Sequence, residues 1–405
     1  MMQAMETALP PLSFRDLPFE RQIRLAYDHL EQLRQLNGGY IASPYSGEAG
    51  YDRYDVYWLR DIMYATYANE YLGLYDKVKQ SYGVVLTVFE KFHHKIIRGV
   101  RKKPDLQRAK GAVIHARVHP TTLEEITDEW GHHQLDIFGL FLFKTGDLMK
   151  QGFRVIDTIE RVQVVKDILS YLWTSRWDTE PDFGMWEEGP ELHSSSVGAV
   201  LAGLTMWHDH GFYDYKYRAR VDVSQIIPVS ERFLEDGTAA LSRLLPRESE
   251  SRPYDLAQLS LLWPYNILKD QFALQEEIID NIEKHLVRAY GVVRYPGDRY
   301  FSSNPEEPFG NEAEWPIGLV WLSIAYSKML AQAVRVGASQ ATVQRYLERA
   351  RHHLEHAEEI ATPDGRIAEL VTRGKPNHNL PLGWAQSLYI VAKLSLREAS
   401  RHISG

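Results

Sequence analysis

Apolar residues recur at helical spacing through nearly the whole chain, and this restricts the fold more than any other feature. Between breaks rich in Gly, Pro and Asp, the spacing predicts helices over 18–36, 60–74, 76–98, 131–148, 155–176, 193–210, 223–245, 254–268, 270–289, 312–336, 339–361 and 382–400. Extended pieces fit only at Gly39–Ser43 and Gly111–His119, where small and β-branched residues precede turn signals. So many helices in 405 residues make either a superhelical array or a closed toroid of six hairpins. No fixed period is visible, which disfavours the array, and no Gly/Ser/Pro-rich linker splits the chain. The expectation is one domain over 18–405, behind an N-terminal tail of 1–17.

Bulk properties narrow the partners. With 44% hydrophobic residues a large core is available, and ten Trp with 23 Tyr can serve that core or line a sugar-binding cleft. A net charge of −8 argues against nucleic acid as the main partner. The basic run from Lys91 to Lys110, including Lys95, Arg98, Arg101, Lys102, Lys103 and Arg108, reads as a solvated helix end and loop; a phosphate or protein-partner patch is the alternative. The absence of cysteine excludes disulfides and thiolate metal sites. Met1 to Pro11 lacks a secretory pattern and no window approaches a membrane span, so a soluble cytoplasmic protein without a membrane partner is expected.

The polar and aromatic clusters are confined to particular breaks. They precede the second, fourth, sixth, eighth, tenth and twelfth segments, as Tyr54–Asp61, Trp130–Asp136, Trp186–Glu188, Arg252–Asp255, Arg294–Glu314 and Glu369–Trp384. In up-down hairpins every second helix runs the same way, so these loops should gather at one end and form a site.

Each cluster has a bland and a chemical reading. Trp186-Glu187-Glu188 sets two acids beside an indole, which can stack on a sugar and raise a carboxyl pKa. Arg60 and Asp61 could grip sugar hydroxyls or simply open a helix. His132, His133 and Asp136 suggest a metal, but adjacent helical residues point apart, which favours a polar binding loop with Trp130 and Gln134. Arg294, Asp298 and Trp315 supply contacts between turns fixed by Gly and Pro. Glu312 and Glu314 could provide a second acid or occupy a helix first turn. Glu369 follows a turn in an apolar setting, unlike the solvated Glu355, Glu358 and Glu359; it is a candidate site acid or a surface residue.

Taken in order over roughly residues 20–400, these loops resemble glycoside hydrolase family 15, the glucoamylases, and the related glucoamylase-like domain of phosphorylase kinase α subunits. Tyr54 and Trp58-Leu59-Arg60-Asp61 look like the family's first substrate loop, and Trp130-Gly131 with Gln134 and Asp136 its second. Trp186-Glu187-Glu188 look like the general-acid loop. Arg294-Tyr295-Pro296, Asp298, Tyr300 and Gly310-Asn311 resemble the next substrate loop. Ala368-Glu369 and Pro381-Leu382 with Trp384 resemble the general-base loop. The resemblance implies an all-α (α/α)6 barrel with short β pieces in loops.

It also implies inverting release of glucose from non-reducing ends of α-1,4-linked oligosaccharides, without metal or cofactor. Glu187 would be the acid and Glu369 the base, with Glu312 or Glu314 open as alternatives. Tyr54, Trp58, Arg60, Asp61, Trp130, Gln134, Asp136, Trp186, Glu188, Arg294, Asp298, Glu312, Glu314, Trp315 and Trp384 would bind substrate. Three departures are evident. His132 stands where glucoamylases often carry Arg, and Asp55 stands where an aromatic is usual. The stretches 191–198, 130–136 and 312–316 look more like the kinase subunit. The second expectation is therefore a non-hydrolytic glucan sensor or regulatory domain with a protein partner.

Overall fold

The computed structural model describes residues 13–46, 53–101, 113–127, 130–208, 211–214, 219–222, 229–300, 312–401 and 403. In chain order its helices begin α1 (Phe19–Glu31), α2 (Leu59–Ala65), α3 (Tyr67–Tyr71), α4 (Tyr75–Lys91), α5 (His93–Arg101), α6 (Leu135–Lys150) and α7 (Ile159–Ser175). They continue as α8 (Ser194–His208), α9 (Glu231–Leu244), α10 (Leu259–Leu262), α11 (Phe272–Leu286), α12 (Pro316–Arg335), α13 (Gln340–Ile360) and α14 (Gly383–Arg401).

Helices alternate between two layers. The inner ring runs α2–α3, α6, α8, α10, α12 and α14; each member touches the next, and α14 packs back on α2 and α3, closing the ring. Outside it, α1 lies on α14, α4 on α2 and α3, α7 on α5 and α6, α9 on α8, α11 on α10, and α13 on α12 and α14. This is an (α/α)6 barrel. Sequence explains the layering: α1 buries Gln22, Ala26 and Leu30, one residue per turn, whereas α8 buries nearly every residue from Ser194 to Leu204. The inner helices approach closely where side chains vanish. A Cβ on Gly139 of α6 would meet the backbone of Ala199 on α8 at 2.4 Å, and one on Gly203 would meet the Gly139 carbonyl at 2.7 Å.

Several boundaries differ from expectation for local reasons. The segment expected over 60–74 breaks at Thr66, whose hydroxyl donates to the Ile62 carbonyl at 2.6 Å, a bond that bends helices. The segment over 254–268 becomes a 3-10 turn at Leu256–Gln258 running into α10, and it stops there because Pro264 cannot continue it. Glu312–Trp315 are not a helix start: Glu314 pairs by its backbone with Val371 and Trp315 with Val292, and α12 begins only at Pro316. By length and composition α12 could cross a bilayer, against the expectation that no window could, but 78% of its apolar window is buried in the ring.

Short antiparallel pairs occur at β1 (Tyr57–Trp58) with β2 (Arg117–Val118), β3 (Gly211–Asp214) with β4 (Ala219–Asp222), and β5 (Val371–Thr372) with β6 (Lys375–Pro376). Of these only β2 falls inside an expected extended piece, since two- and four-residue strands leave too little alternation to read. The expected tail also ends early: Phe14 is 1% exposed and packs on Tyr389, its ring centroid 5.5 Å away. Residues 1–12, Lys102, Lys103, Arg108, Lys110, Gly111, the 223–228 start of one expected helix and Gly310-Asn311 lie outside the described residues.

Candidate active site

A cavity of about 260 Å³ lies at the end of the ring where the inner helices begin. Five of the six polar loops line it: Tyr54, Trp58, Arg60 and Asp61; Trp130 and Gly131; Met185 to Glu188; Arg294, Tyr300 and Trp315; and Glu369, Leu382 and Trp384. The sixth loop supports from behind. Asp255 accepts the Trp186 indole N–H at 2.7 Å, and Arg252 lies 3.3 Å from Glu188. The indole N–H groups of Trp58, Trp130, Trp315 and Trp384 are buried without a hydrogen-bond partner among the described residues. Buried donors normally find acceptors, so a ligand rich in hydroxyls suits this wall.

Glu187 sits in a loop closed by the backbone pairing of Asp182 with Glu191. Its own φ is 57°, a left-handed conformation costly for a residue with a Cβ. A Cβ on Gly131 would meet the Glu187 carbonyl at 2.6 Å, so the neighbouring loop must carry glycine there. The Glu187 carboxylate bonds the guanidinium of Arg60. Burial pushes its pKa up to about 7, although Arg60 opposes the shift. Asp61 is likewise raised to about 7 by burial, against Arg60 and reinforced by the charges of Glu187 and Glu369.

Glu369 is 1% exposed. The Tyr54 hydroxyl donates to Oε1, and the side-chain amides of Asn377 and Asn379 donate to Oε2, each at 2.7 Å. Burial raises its pKa above the usual carboxyl value, although these three donors and the charge of Arg294 oppose the shift. Tyr54 also lies 3.2 Å from the Tyr300 hydroxyl.

Other candidates sit behind the wall. Asp136 holds Arg60 through two bonds of 2.7 and 3.1 Å, and Gln134 accepts from the same guanidinium at 2.7 Å. Asp298 grips Arg294 at 2.7 and 2.8 Å, and Arg294 reaches Glu188 at 2.6 Å. None of Gln134, Asp136 and Asp298 lines the cavity. Nor do Glu312 and Glu314: Glu312 lies 3.9 Å from Arg288, and Glu314 accepts from the Tyr290 backbone N–H. His132 stacks on His115, ring centroids 3.8 Å apart, while His133 is buried at 2% exposure.

Several residues of this end were not anticipated. Asp182 ties three elements together, accepting from the Leu135 backbone N–H and the Ser196 hydroxyl at 2.8 Å each. Arg117, opposite Trp58 in the β1–β2 pair, stacks its guanidinium on Trp130 at 4.3 Å and on Trp58 at 5.0 Å. Neither position has a sequence signal, since each acts on a partner distant in the chain. Asn377 and Asn379 did carry one: two amides follow a Gly turn shortly after the buried acid.

Comparison with known proteins agrees with this geometry. The family model described as Glycosyl hydrolases family 15 matches residues 28–394. The liver isoform of the phosphorylase b kinase regulatory subunit alpha from Mus musculus is 27% identical over 399 residues, covering 85% of this chain and 31% of its own. A probable alpha subunit from Caenorhabditis elegans is 28% identical over 65% of this chain and 23% of its own. The chain thus spans about a third or less of the length of these curated relatives. Among solved structures, a wild-type glycosidase superposes with a TM-score of 0.71 at 18% identity, covering 93% of this chain and 98% of its own. Glucoamylase from Saccharomycopsis fibuligera superposes with a TM-score of 0.68 at 13% identity, covering 99% of each chain. With a ring of six inner helical units, a polar cavity where they begin and a family match along nearly its whole length, the chain belongs to glycosyl hydrolases family 15.

Proposed function

We propose that the protein is an inverting glycosidase that removes glucose from the non-reducing ends of α-1,4-linked gluco-oligosaccharides. The observation that carries this reading is the pair of carboxyls, Glu187 with its side chain 12% exposed and Glu369 buried, on one cavity with unlike surroundings. Glu187, with a pKa near 7, still holds a proton around neutrality and donates it to the glycosidic oxygen as the C1–O bond breaks. Glu369, bonded by three donors that favour its anion, takes a proton from the water whose oxygen bonds C1 from the opposite face. Such a pair works with about 6.5–9.5 Å between carboxyls, leaving room for that water. Arg60 and Asp61 bind the terminal sugar, and the indoles enclose it. A pocket of about 260 Å³ suits a chain end better than a chain passing through. One structural neighbour is a glycosidase variant in complex with glucose, which supports the choice of sugar.

The test is glucose release from maltose and maltotriose, with the anomer followed by NMR. Glu187→Gln and Glu369→Gln should each lower kcat by about two orders of magnitude or more while maltose still binds, and β-glucose should appear first. Equal release by wild type and Glu187→Gln would sink the assignment. A second reading, a glucan-sensing regulatory domain, is favoured by the naming of the curated relatives as kinase regulatory subunits. Calorimetry separates the two, because maltose binding by a wild type that releases no glucose supports the sensor.

A further inference from the structure

Glu369 stands two residues before β5, and the β5–β6 turn passes through Arg373 and Gly374 with φ of 50° and 72°. The chain therefore folds back on itself. The Asn377 N–H donates to the Leu370 carbonyl and the Glu369 N–H to the Asn379 carbonyl, each at 3.0 Å. With the register fixed, residues 377 and 379 send their amides to a single atom, and both Nδ2 groups donate to Oε2 of Glu369 at 2.7 Å. Among the described residues, Oε1 receives only the Tyr54 hydroxyl.

A carboxylate oxygen carries two in-plane lone pairs. Two amide donors occupy both on Oε2, whereas Oε1 keeps one. We propose that Asn377 and Asn379 are positioning residues that saturate Oε2 of Glu369 and so reserve the free lone pair of Oε1 for the attacking water. This deepens the hydrolase reading and rests on Glu369 being its base. In the step itself, the water oxygen bonds C1, the leaving oxygen departs with the proton of Glu187, and the water's proton goes to Oε1. It cannot settle on Oε2, because an O–H there would point at two N–H donors. Neither asparagine touches the substrate's reacting atoms; both act through Glu369.

The groups facing Glu369 come from several elements. Tyr54 and, behind it, Tyr300 are neutral donors. Arg294 contributes a positive charge. Asp61, at the start of α2, interacts electrostatically with both Glu369 and Glu187. Glu314, whose backbone pairs with Val371, turns its carboxylate to the Tyr290 N–H, and His378 on the same hairpin stacks on Tyr45. None of these replaces the amides on Oε2.

Donors to a carboxylate favour its charged form, so their removal raises its pKa. The acidic limb of kcat/KM, which follows ionisation of the base, must then move to higher pH. The experiment compares full-length wild type with Asn377→Ala and Asn379→Ala in two ways. One is the pH profile of glucose release. The other is an isotope-edited infrared titration of the Glu369 carboxylate, with Glu369→Gln as the blank. Each variant should move the acidic limb and the infrared midpoint up by about one pH unit, lowering kcat with little change in KM. Variants that lose turnover equally at every pH, with an unmoved infrared midpoint, overturn the proposal, since that is what a merely structural role produces. Asn377, the more exposed of the two, guards against a folding failure at Asn379. If wild type releases no glucose, the base assignment fails by itself. The reservation of Oε1 for water falls with it, and the infrared midpoint then reports only whether the two amides hold Oε2.

Discussion

Arg60 shows how much one residue can carry at this site. Its guanidinium joins Glu187 of one loop to Gln134 and Asp136 at the start of α6, and its side chain is 3% exposed. Burying Arg60 and Asp136 is costly, and the arrangement holds because the two charges are opposite and directly bonded. Arg60→Met strands Asp136, whose side chain is 2% exposed. The expected loss is about 3–5 kcal/mol of unfolding free energy, measured by urea denaturation. The contrast is Arg15 with Glu355, side chains 41% and 52% exposed, where removing the pair should cost under about 1 kcal/mol. Equal losses at the two places would refute this account of the site's rigidity.

At the scale of elements, the inner helices are set by what they omit. The α6–α8 crossing relies on Gly139 and Gly203, where backbone meets backbone and no side chain can swing aside. Gly139→Ala should lower stability by about 1–3 kcal/mol through overpacking, seen as a fall in the denaturation midpoint. It should also disturb the cavity, because the loops before α6 and α8 carry Trp130 and Glu187. A variant as stable as wild type would mean that the crossing can relax. The loops in turn depend on small pairings: β1–β2 brings Arg117 under Trp58, and β5–β6 returns Asn377 and Asn379 to Glu369.

Across the whole molecule, the ring buries many carboxyls. Burial raises Glu187, Asp61 and Asp182 to about 7, and raises Glu248 and Asp255 as well. The unfolded chain ionises these acids near pH 4, while the folded one holds their protons through the window up to about 7. Folded protein therefore binds more protons there, and stability must fall as pH rises. His193, lowered to about 4 by burial, and His353, also lowered, act oppositely but only below about pH 6.5, where unfolded histidine titrates. The urea midpoint should be higher at pH 5 than at pH 8, with the decline persisting above pH 6.5. A midpoint that rises over this interval would show that the acids are ionised in the fold.

Helical periodicity was sufficient to show the succession of helical segments, because an apolar stripe repeats locally whatever it later packs against; that they close into a ring was implied by the family resemblance. The same holds for the loops: aromatics and acids before alternate helices can converge only if those helices run parallel. Where a side chain ends up is another matter. Asp136, Gln134 and Asp298 read as sugar-binding residues in the chain, yet they spend their hydrogen bonds on Arg60 and Arg294 behind the wall. Glu312 and Glu314 read like Glu369 in sequence, yet only Glu369 faces the cavity. The chain determined which chemical groups were present and at which end of the barrel they would gather. Tertiary structure alone decided which acid is buried on the cavity and which cation or hydroxyl it meets, since Arg60 reaches Glu187 and Tyr54 reaches Glu369 only once distant parts of the chain have packed together.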